Sequence, residues 1–505
     1  MKKLLVANRG EIALRIFRAC KDEGIATVAV VAPDDAGSLH ARSADETIAI
    51  ASYLDPAEHV RAARESGADA VHPGYGFLAE SADLAEAVLG AGLTWVGPPP
   101  SALRAGGDKL AAKDTARAAG VPVLPNGTPD EIGFPLLVKA AAGGGGRGMR
   151  VVRSADELDE ATEAARREAL AAFGDDTIFY ERYLERPRHV EIQLLADAHG
   201  TVVALGERDC SVQRRHQKVL EESPSPALDA TLRERMSEAA TNFARAIGYV
   251  SAGTVEFVLA GGEFFFLELN ARIQVEHPVT ELVSGVDLVR EQLRIADGAR
   301  LDIQPRLDGH AIEVRLYAED PQSFLPQAGT IERLRLPDGV RVDTGVAEGD
   351  EIGTSYDPMI AKLIAHAPTR EAALDQLAAA LDDTEVEGVT TNLSFLRWLV
   401  AHPVVRAGRA TTAFLTEHPP LSPTPVRATQ TAWSGAWRLN LAPPAPQASP
   451  ALGGALEHAA AGESSAVTAP MPGTVLRVLV EPGARVVARQ PLVVLEAMKM
   501  ETPLV

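Results

Sequence analysis

The chain has 505 residues, too many for one hydrophobic core and enough for about three domains at ~150 residues each. Its 46% hydrophobic and 23% charged residues are ordinary for a soluble globular protein, and a formal net charge of −20 argues against a nucleic-acid partner, whose phosphates call for basic surfaces. Two isolated cysteines (Cys20, Cys210), an N-terminal apolar run of only LLVA and no apolar run of membrane-spanning length point to a reducing, cytoplasmic setting without signal peptide or membrane partner.

From Lys3 to about Gly120 short apolar runs alternate with helical patterns. LLVA at 4–7 is followed by a helix in which Ile12, Ile16 and Ala19 share a face and Gly24 supplies the stop, then by TVAVVA at 27–32. This β-α-β succession predicts an open parallel sheet with ligands at the carboxyl ends of its strands. HPGYGFLAES at 72–81 reads as a Gly/Pro turn entering a helix, equally suited to structure and to binding. From Leu136 the texture becomes strand, glycine loop, strand and helix, with Ser154 and Glu157 at capping-box spacing. Between Thr177 and Val219 β-rich runs succeed one another without helices, which predicts a small antiparallel unit of the kind that serves as a lid. A helix from about Leu228 to Gly248 leads to two strands joined at Gly261-Gly262. Beyond Glu417, PPLSPTPV and APPAPQASP are linker sequence, interrupted by Trp433 and Trp437, and a new β pattern starts near Val467.

Four stretches carry chemistry. Lys139 heads KAAAGGGGRGM, whose consecutive glycines suit close backbone approach to phosphate oxygens. Gly143, Gly145 and Gly148 satisfy GxGxxG, but MRVV follows as a strand rather than a helix, which removes the dinucleotide-binding context. The Walker and protein-kinase motifs are missing. RDCSVQRRHQK at 208–218 places His216 and Lys218 on one strand face, with Gln213 on the other unless a bulge intervenes; Arg214 and Arg215 read as a solvated face. In ELNARIQVEH at 268–277, an extended strand would put Glu268, Asn270, Arg272, Gln274 and Glu276 on one side. A solvated outer face is the ordinary explanation, yet two oxygen ligands, a fixed cation, an amide and a second carboxylate also suit a metal-bound phosphate beside a small anion. Near the end, EAMKM brackets Lys499 with Met498 and Met500, odd for a soluble turn and suited to a site read by another protein.

Taken together these motifs resemble biotin carboxylase, the ATP-grasp component of acetyl-CoA and other acyl-CoA carboxylases. The resemblance rests on ANRGEIALRI at 7–16, HPGYGFLAE at 72–80, GDK at 107–109, the glycine loop, ERDCSVQRRHQK at 207–218, GTVEF at 253–257, LELNARIQVEHPVTE at 267–281 and YDPMIAKL at 356–363. It implies an α/β fold: a Rossmann-like pre-ATP-grasp domain over 1–110, an ATP-grasp domain over 111–305 with a lid at about 132–203, and a C-terminal biotin carboxylase domain over 306–418. A linker at 419–466 would lead to the first half of a biotinyl carrier domain at 467–505.

The resemblance implies that bicarbonate is phosphorylated by ATP to carboxyphosphate, which releases CO2 beside biotin. Lys109, Lys139 and the loop glycines Gly143, Gly144, Gly145 and Gly146 would hold ATP phosphates. Glu181, Arg182 and Leu184 would line the adenine pocket, the last two through backbone, while His189, Gln213 and His216 would meet the ribose or purine. Lys218 would reach the γ-phosphate. Glu256, Glu268 and Asn270 would carry magnesium or manganese. Arg272, Gln274 and the backbone of Val275 would hold bicarbonate, with Glu276 as a general base tuned by burial. Arg341 would stabilise deprotonated biotin and Lys499 would bear it. Implied partners are a biotin carboxyl carrier protein or domain, a carboxyltransferase subunit, a biotin-protein ligase and a second copy of the chain as a homodimer.

Against that resemblance the chain carries Ala142 in the loop, a short stretch at 124–134 and no middle domain before the carrier segment, and residues 467–505 would supply half of a carrier barrel. Two other readings compete: an ATP-grasp carboxylate-amine ligase, which has no need of RIQVEH or EAMKM, and a nucleotide-binding subunit without catalysis.

Overall fold

Five short apolar strands, β1 (Lys3–Val6), β2 (Ala26–Val31), β3 (Glu46–Ala49), β4 (Ala70–His72) and β5 (Thr94–Trp95), form the parallel sheet expected at the N-terminus, in the order β3-β2-β1-β4-β5. The computed structural model describes residues 1–141, 149–214, 217–420, 474–481, 484–487, 490–497 and 500–504. Ile12, Ile16 and Ala19 are buried by the helix Gly10–Asp22, as their spacing requires. Strand order reverses between β1 and β4, and there Asn8 Nδ2 donates to the carbonyls of Pro73 (2.8 Å) and Tyr75 (2.7 Å). Gly74 sits at φ +64°, and a Cβ on it would come 2.9 Å from Asn8 Nδ2, so HPGYG needs a glycine here on steric grounds.

A four-stranded antiparallel sheet follows, ordered β6-β9-β7-β8, from β6 (Asn126–Gly127), β7 (Leu136–Ala140), β8 (Arg150–Val152) and β9 (Ile178–Arg182). Its own core is small, built on Leu136, Val138, Val152 and Ala165. Ser154 does not cap the following helix; the Glu157 carboxylate accepts from the Arg153 N–H (2.9 Å), and a short 3-10 turn at Ala155–Glu157 opens Leu158–Phe173. The short 124–134 stretch holds only β6 and the single turn Pro129–Ile132.

The stretch from 177 to 219, expected as one small unit, is divided. Only β9 joins the small sheet; β10 (Arg188–Ala196), β11 (Val202–Arg214) and β12 (Gln217–Ser223) belong to an eight-stranded antiparallel sheet. The reason is pairing length: β10 runs nine residues against β13 (Ser251–Ala260), a far longer ladder than the small sheet offers. The sheet continues through β14 (Glu263–Asn270), β15 (His310–Tyr317), β18 (Arg341–Thr344) and β20 (Met359–Ala367) in the order β14-β13-β10-β11-β12-β15-β20-β18. Pairing of β12 with β15 makes it continuous across residues 305–306. Two short ladders, β16 (Gly329–Thr330) with β19 (Glu351–Ile352) and β17 (Arg333–Arg335) with β21 (Glu385–Glu387), complete this half. At the C-terminus β22 (Thr474–Val478), β23 (Val493–Ala497) and β24 (Met500–Leu504) form a three-stranded antiparallel sheet with Val478 and Val487 exposed. Gly143 to Gly146, His216, the linker tryptophans and Lys499 lie outside the described residues.

Candidate functional site

The stretch 268–277 is not one extended strand. β14 ends at Asn270, where the next N–H, of Ala271, is taken by the Glu80 carboxylate (3.0 Å), and Glu276 precedes the helix His277–Ser284 with Pro278 in its first turn. Arg272, Gln274 and Glu276 therefore reach the site from a loop. They still converge with Glu268 and Asn270 on one cavity of about 390 Å³, whose walls include Lys109, Lys139, His189, Gln213, Lys218 and Glu256. A bulge in β11 resolves the phase of Gln213, which stands directly across from Lys218 and on the same face. Arg214 is not solvated: it is 4% exposed, paired with Glu319 and bonded to the carbonyl of Phe324 (2.9 Å).

Lys218 is the hub. Its ammonium donates to Glu191 (2.5 Å), Glu256 (2.9 Å) and Glu276 (2.6 Å). Burial alone would lower its pKa, but these three carboxylates raise it well above the usual lysine value. Beneath it Arg208, fully buried, uses all five N–H groups: on Glu191 (2.5 Å), Gln193 (2.7 Å), Thr280 (2.9 Å), Thr254 (3.1 Å) and Gln274 (2.8 Å). The amide of Gln274, so oriented, donates to Glu256 (2.9 Å).

Glu276 behaves differently from the expectation that burial tunes it as a base. Burial does push its carboxyl up, but Lys218, Arg315 and Arg208 together outweigh burial and hold it well below the usual range. Arg315 donates to its second oxygen (2.9 Å). In this arrangement Glu276 is a firmly ionised carboxylate.

Glu256 and Glu268 stand directly opposite each other on β13 and β14. Like charges in that relation are destabilising, and burial followed by the charge of Glu256 pushes the Glu268 carboxyl up. Two facing carboxylates with the Asn270 amide beside them form an all-oxygen donor set of the kind a hard divalent cation takes, and such a cation would cancel their repulsion. His189 lies 2.8 Å from the far oxygen of Glu256, with Gln213 on its other ring nitrogen (3.0 Å).

Glu181, expected at the adenine pocket, lies 1% exposed between Lys113 and Lys139 and pairs with both. Against burial, their charges hold its carboxyl down. Arg182 is exposed and Leu184 half-buried, and neither side chain lines the cavity. Arg341, expected at biotin, is bound to Glu281 (2.6 Å) and Asp343 (2.8 Å) and lines neither this cavity nor the adjoining one. That second cavity, about 610 Å³, is walled by Asn8, Arg9, Tyr75, Phe77 and residues 351–357, and it shares Arg272, Val275 and Arg315 with the first.

Sequence reasoning missed Lys113, Glu191, Arg208 and Arg315. Lys113 follows Lys109 by four residues on the helix Lys109–Ala118, the same-face spacing that could have revealed it. Glu191 follows His189 by two in a strand, and Arg315 follows Glu313 by two in another.

Four domain families match along the chain: biotin carboxylase N-terminal domain (residues 1–103), carbamoyl-phosphate synthase L chain ATP-binding domain (109–304), biotin carboxylase C-terminal domain (313–417) and biotin-requiring enzyme (465–505). A biotin carboxylase of Halalkalibacterium halodurans is 47% identical, over 83% of this chain and 98% of its own length. The mitochondrial methylcrotonoyl-CoA carboxylase subunit alpha of Dictyostelium discoideum is also 47% identical, over 82% of this chain; the chain spans 63% of that relative. The crystal structure of a Campylobacter jejuni biotin carboxylase β-γ-ATP complex superposes with a TM-score of 0.81 at 40% identity, covering 83% of this chain and 99% of that one. Domain order, identity across four fifths of the sequence and a shared architecture agree with the lysines, facing carboxylates and RIQVE loop around one cavity: the chain belongs to the biotin carboxylase family.

Proposed function

We propose that this chain carboxylates biotin at the expense of ATP and bicarbonate, the first half-reaction of an acyl-CoA carboxylase. The observation that carries the reading is the Lys218 hub, which ties the facing-carboxylate site at Glu256 to the general-base candidate Glu276 at the junction of two cavities.

ATP phosphates are held by Lys109 and Lys139, joined here by Lys113. Magnesium or manganese, on Glu256, Glu268 and Asn270, supplies neutralisation of phosphate charge. Bicarbonate lies on Arg272, Gln274 and the backbone of Val275, and Glu276 takes its proton. A carboxylate held so low is a weak base, so two effects must help: Arg272 stabilises the anion as the proton leaves, and a γ-phosphoryl group competing for Lys218 loosens its hold on Glu276. Biotin enters through the larger cavity, where Arg272 and Arg315 face both reactants. The small sheet over 126–182, with its minimal core, serves as the lid that excludes water.

The reading is tested by ADP release that depends on bicarbonate and is stimulated by free biotin. Glu276→Gln abolishes turnover and leaves ATP binding intact; lost ATP binding contradicts the role. An amine replacing bicarbonate as the required substrate would establish the ligase alternative. Lys499 is the biotin attachment site, modified by a biotin-protein ligase, and the carboxyl group passes to a carboxyltransferase subunit. Streptavidin blotting against Lys499→Arg checks the attachment, and sedimentation checks the homodimer. Among the described residues no helix is long and apolar enough to cross a membrane.

A further inference from the structure

Behind Glu276 lies a buried pair of carboxyl groups that the mechanism above does not use. Glu221 on β12 and Glu313 on β15 are directly opposite each other, and both are fully buried. Antiparallel partners in register point to the same face, so the two carboxyls face one another away from bulk solvent, and charging both at once is disfavoured. Neither carboxyl has an aligned hydrogen-bond partner among the described residues. Of the two, Glu221 touches Arg315 Nη2 as an ion pair, and that same nitrogen donates to Glu276 (2.9 Å). One guanidinium therefore serves two carboxylates, one of them the proton acceptor.

We propose that Glu221 is a positioning residue that sets the base strength of Glu276 by competing for Arg315, with Glu313 as the member of the buried pair that keeps its proton. The inference rests on the proton-accepting role proposed for Glu276. While Glu221 is neutral, Arg315 belongs to Glu276 and makes it a poor base. Once Glu221 is ionised it shares Arg315 and adds a negative charge nearby, and Glu276 holds a proton more strongly. The surroundings agree on which carboxyl ionises first. Burial raises both, but Glu221 has Arg315 in contact and is pushed only to about 7, whereas Glu313, offset chiefly by Lys362, is driven well above its usual range. Among the described residues, Lys218 on β12, Cys210 on β11 and Glu276 from the loop also face Glu221. The helix His277–Ser284, packed on β12, brings His277, which burial and Lys362 keep neutral.

The test is the ratio of wild-type to Glu221→Gln turnover in the bicarbonate- and biotin-dependent assay from pH 6 to 8, since titrations of the substrates cancel in that ratio. One unit of base strength at a Brønsted slope near one half gives about a threefold rise in the ratio, absent at pH 6 and complete at pH 8. Its midpoint lies near 7. Glu221→Asp, which keeps a carboxyl, retains the rise. A ratio that is constant across this range overturns the proposal, because a purely structural role lowers activity equally at every pH. An infrared titration of the wild type is independent of how the variants fold: one buried carboxylic-acid band disappears between pH 6 and 8, and its persistence also refutes the idea. If the wild type shows no bicarbonate-dependent turnover at all, the underlying functional reading fails instead.

Discussion

Replacing Arg208 by methionine is the sharpest perturbation of the site, because it removes a buried cation while leaving every residue proposed to meet substrate in place. The side chain is 0% exposed and makes five hydrogen bonds, one to the Glu191 carboxylate and four to neutral oxygens of Gln193, Thr280, Thr254 and Gln274. Removing one partner of a buried ion pair costs about 3–5 kcal/mol, and each neutral bond is worth about 1 kcal/mol. The simple sum is an upper bound, because Lys218 still neutralises Glu191 and water can enter the space left behind. The expected loss is therefore about 3 kcal/mol, read as a lower urea midpoint for unfolding of the large sheet. Activity falls as well, because Gln274 loses its anchor: the KM for bicarbonate rises while ATP affinity is retained. Arg208→Lys, which restores charge to Glu191 but not the fork, should recover only part of the stability. A loss below about 1 kcal/mol would refute the reasoning, since it would equate this network with an exposed ion pair.

Lys113→Met removes one of the two cations on Glu181 and is expected to weaken ATP binding about tenfold or more, the worth of one charge-assisted bond to phosphate; unchanged ATP affinity by calorimetry would place Lys113 outside the phosphate site. Glu268→Gln relieves the repulsion across β13 and β14, so in EDTA the variant should be more stable by about 0.2–1 kcal/mol, while its magnesium requirement for turnover rises. The pH dependence of stability carries a histidine signature: His72, fully buried, binds its proton only near pH 4 against 6.5 when unfolded. The unfolded chain thus takes up that proton first, and stability is lost as pH falls from about 6.5 to about 4, by about 3 kcal/mol in all. His72→Gln should flatten that part of the urea-midpoint profile, and an unaltered slope would show that His72 is not its source.

Much of the site was legible in the sequence because the groups proposed to meet ATP, metal and bicarbonate sit in short motifs whose residue types announce their chemistry. The parallel sheet followed from apolar runs and helix spacing, and the hairpin at Gly261-Gly262 from two adjacent glycines, both with positive φ. Three local expectations failed for physical reasons that act between distant segments. The strand through RIQVEH was cut short when Glu80 captured an N–H, Arg214 was drawn inside by Glu319, and β10 to β12 left the small sheet for a longer ladder.

What the sequence determined by itself was the set of candidate groups in the motifs and their order along the chain, since periodicity and motif chemistry are local properties. What only the tertiary structure decided was how those groups are charged and who holds them. Arg208 gathers partners 15 to 72 residues away, and Lys218 joins carboxylates from three elements. Arg341 is held by Glu281 and Asp343, and Glu276 became a firmly ionised carboxylate rather than one tuned upward by burial. Coulomb energy depends on distance in space and on the exclusion of water, and neither can be read from spacing along a chain.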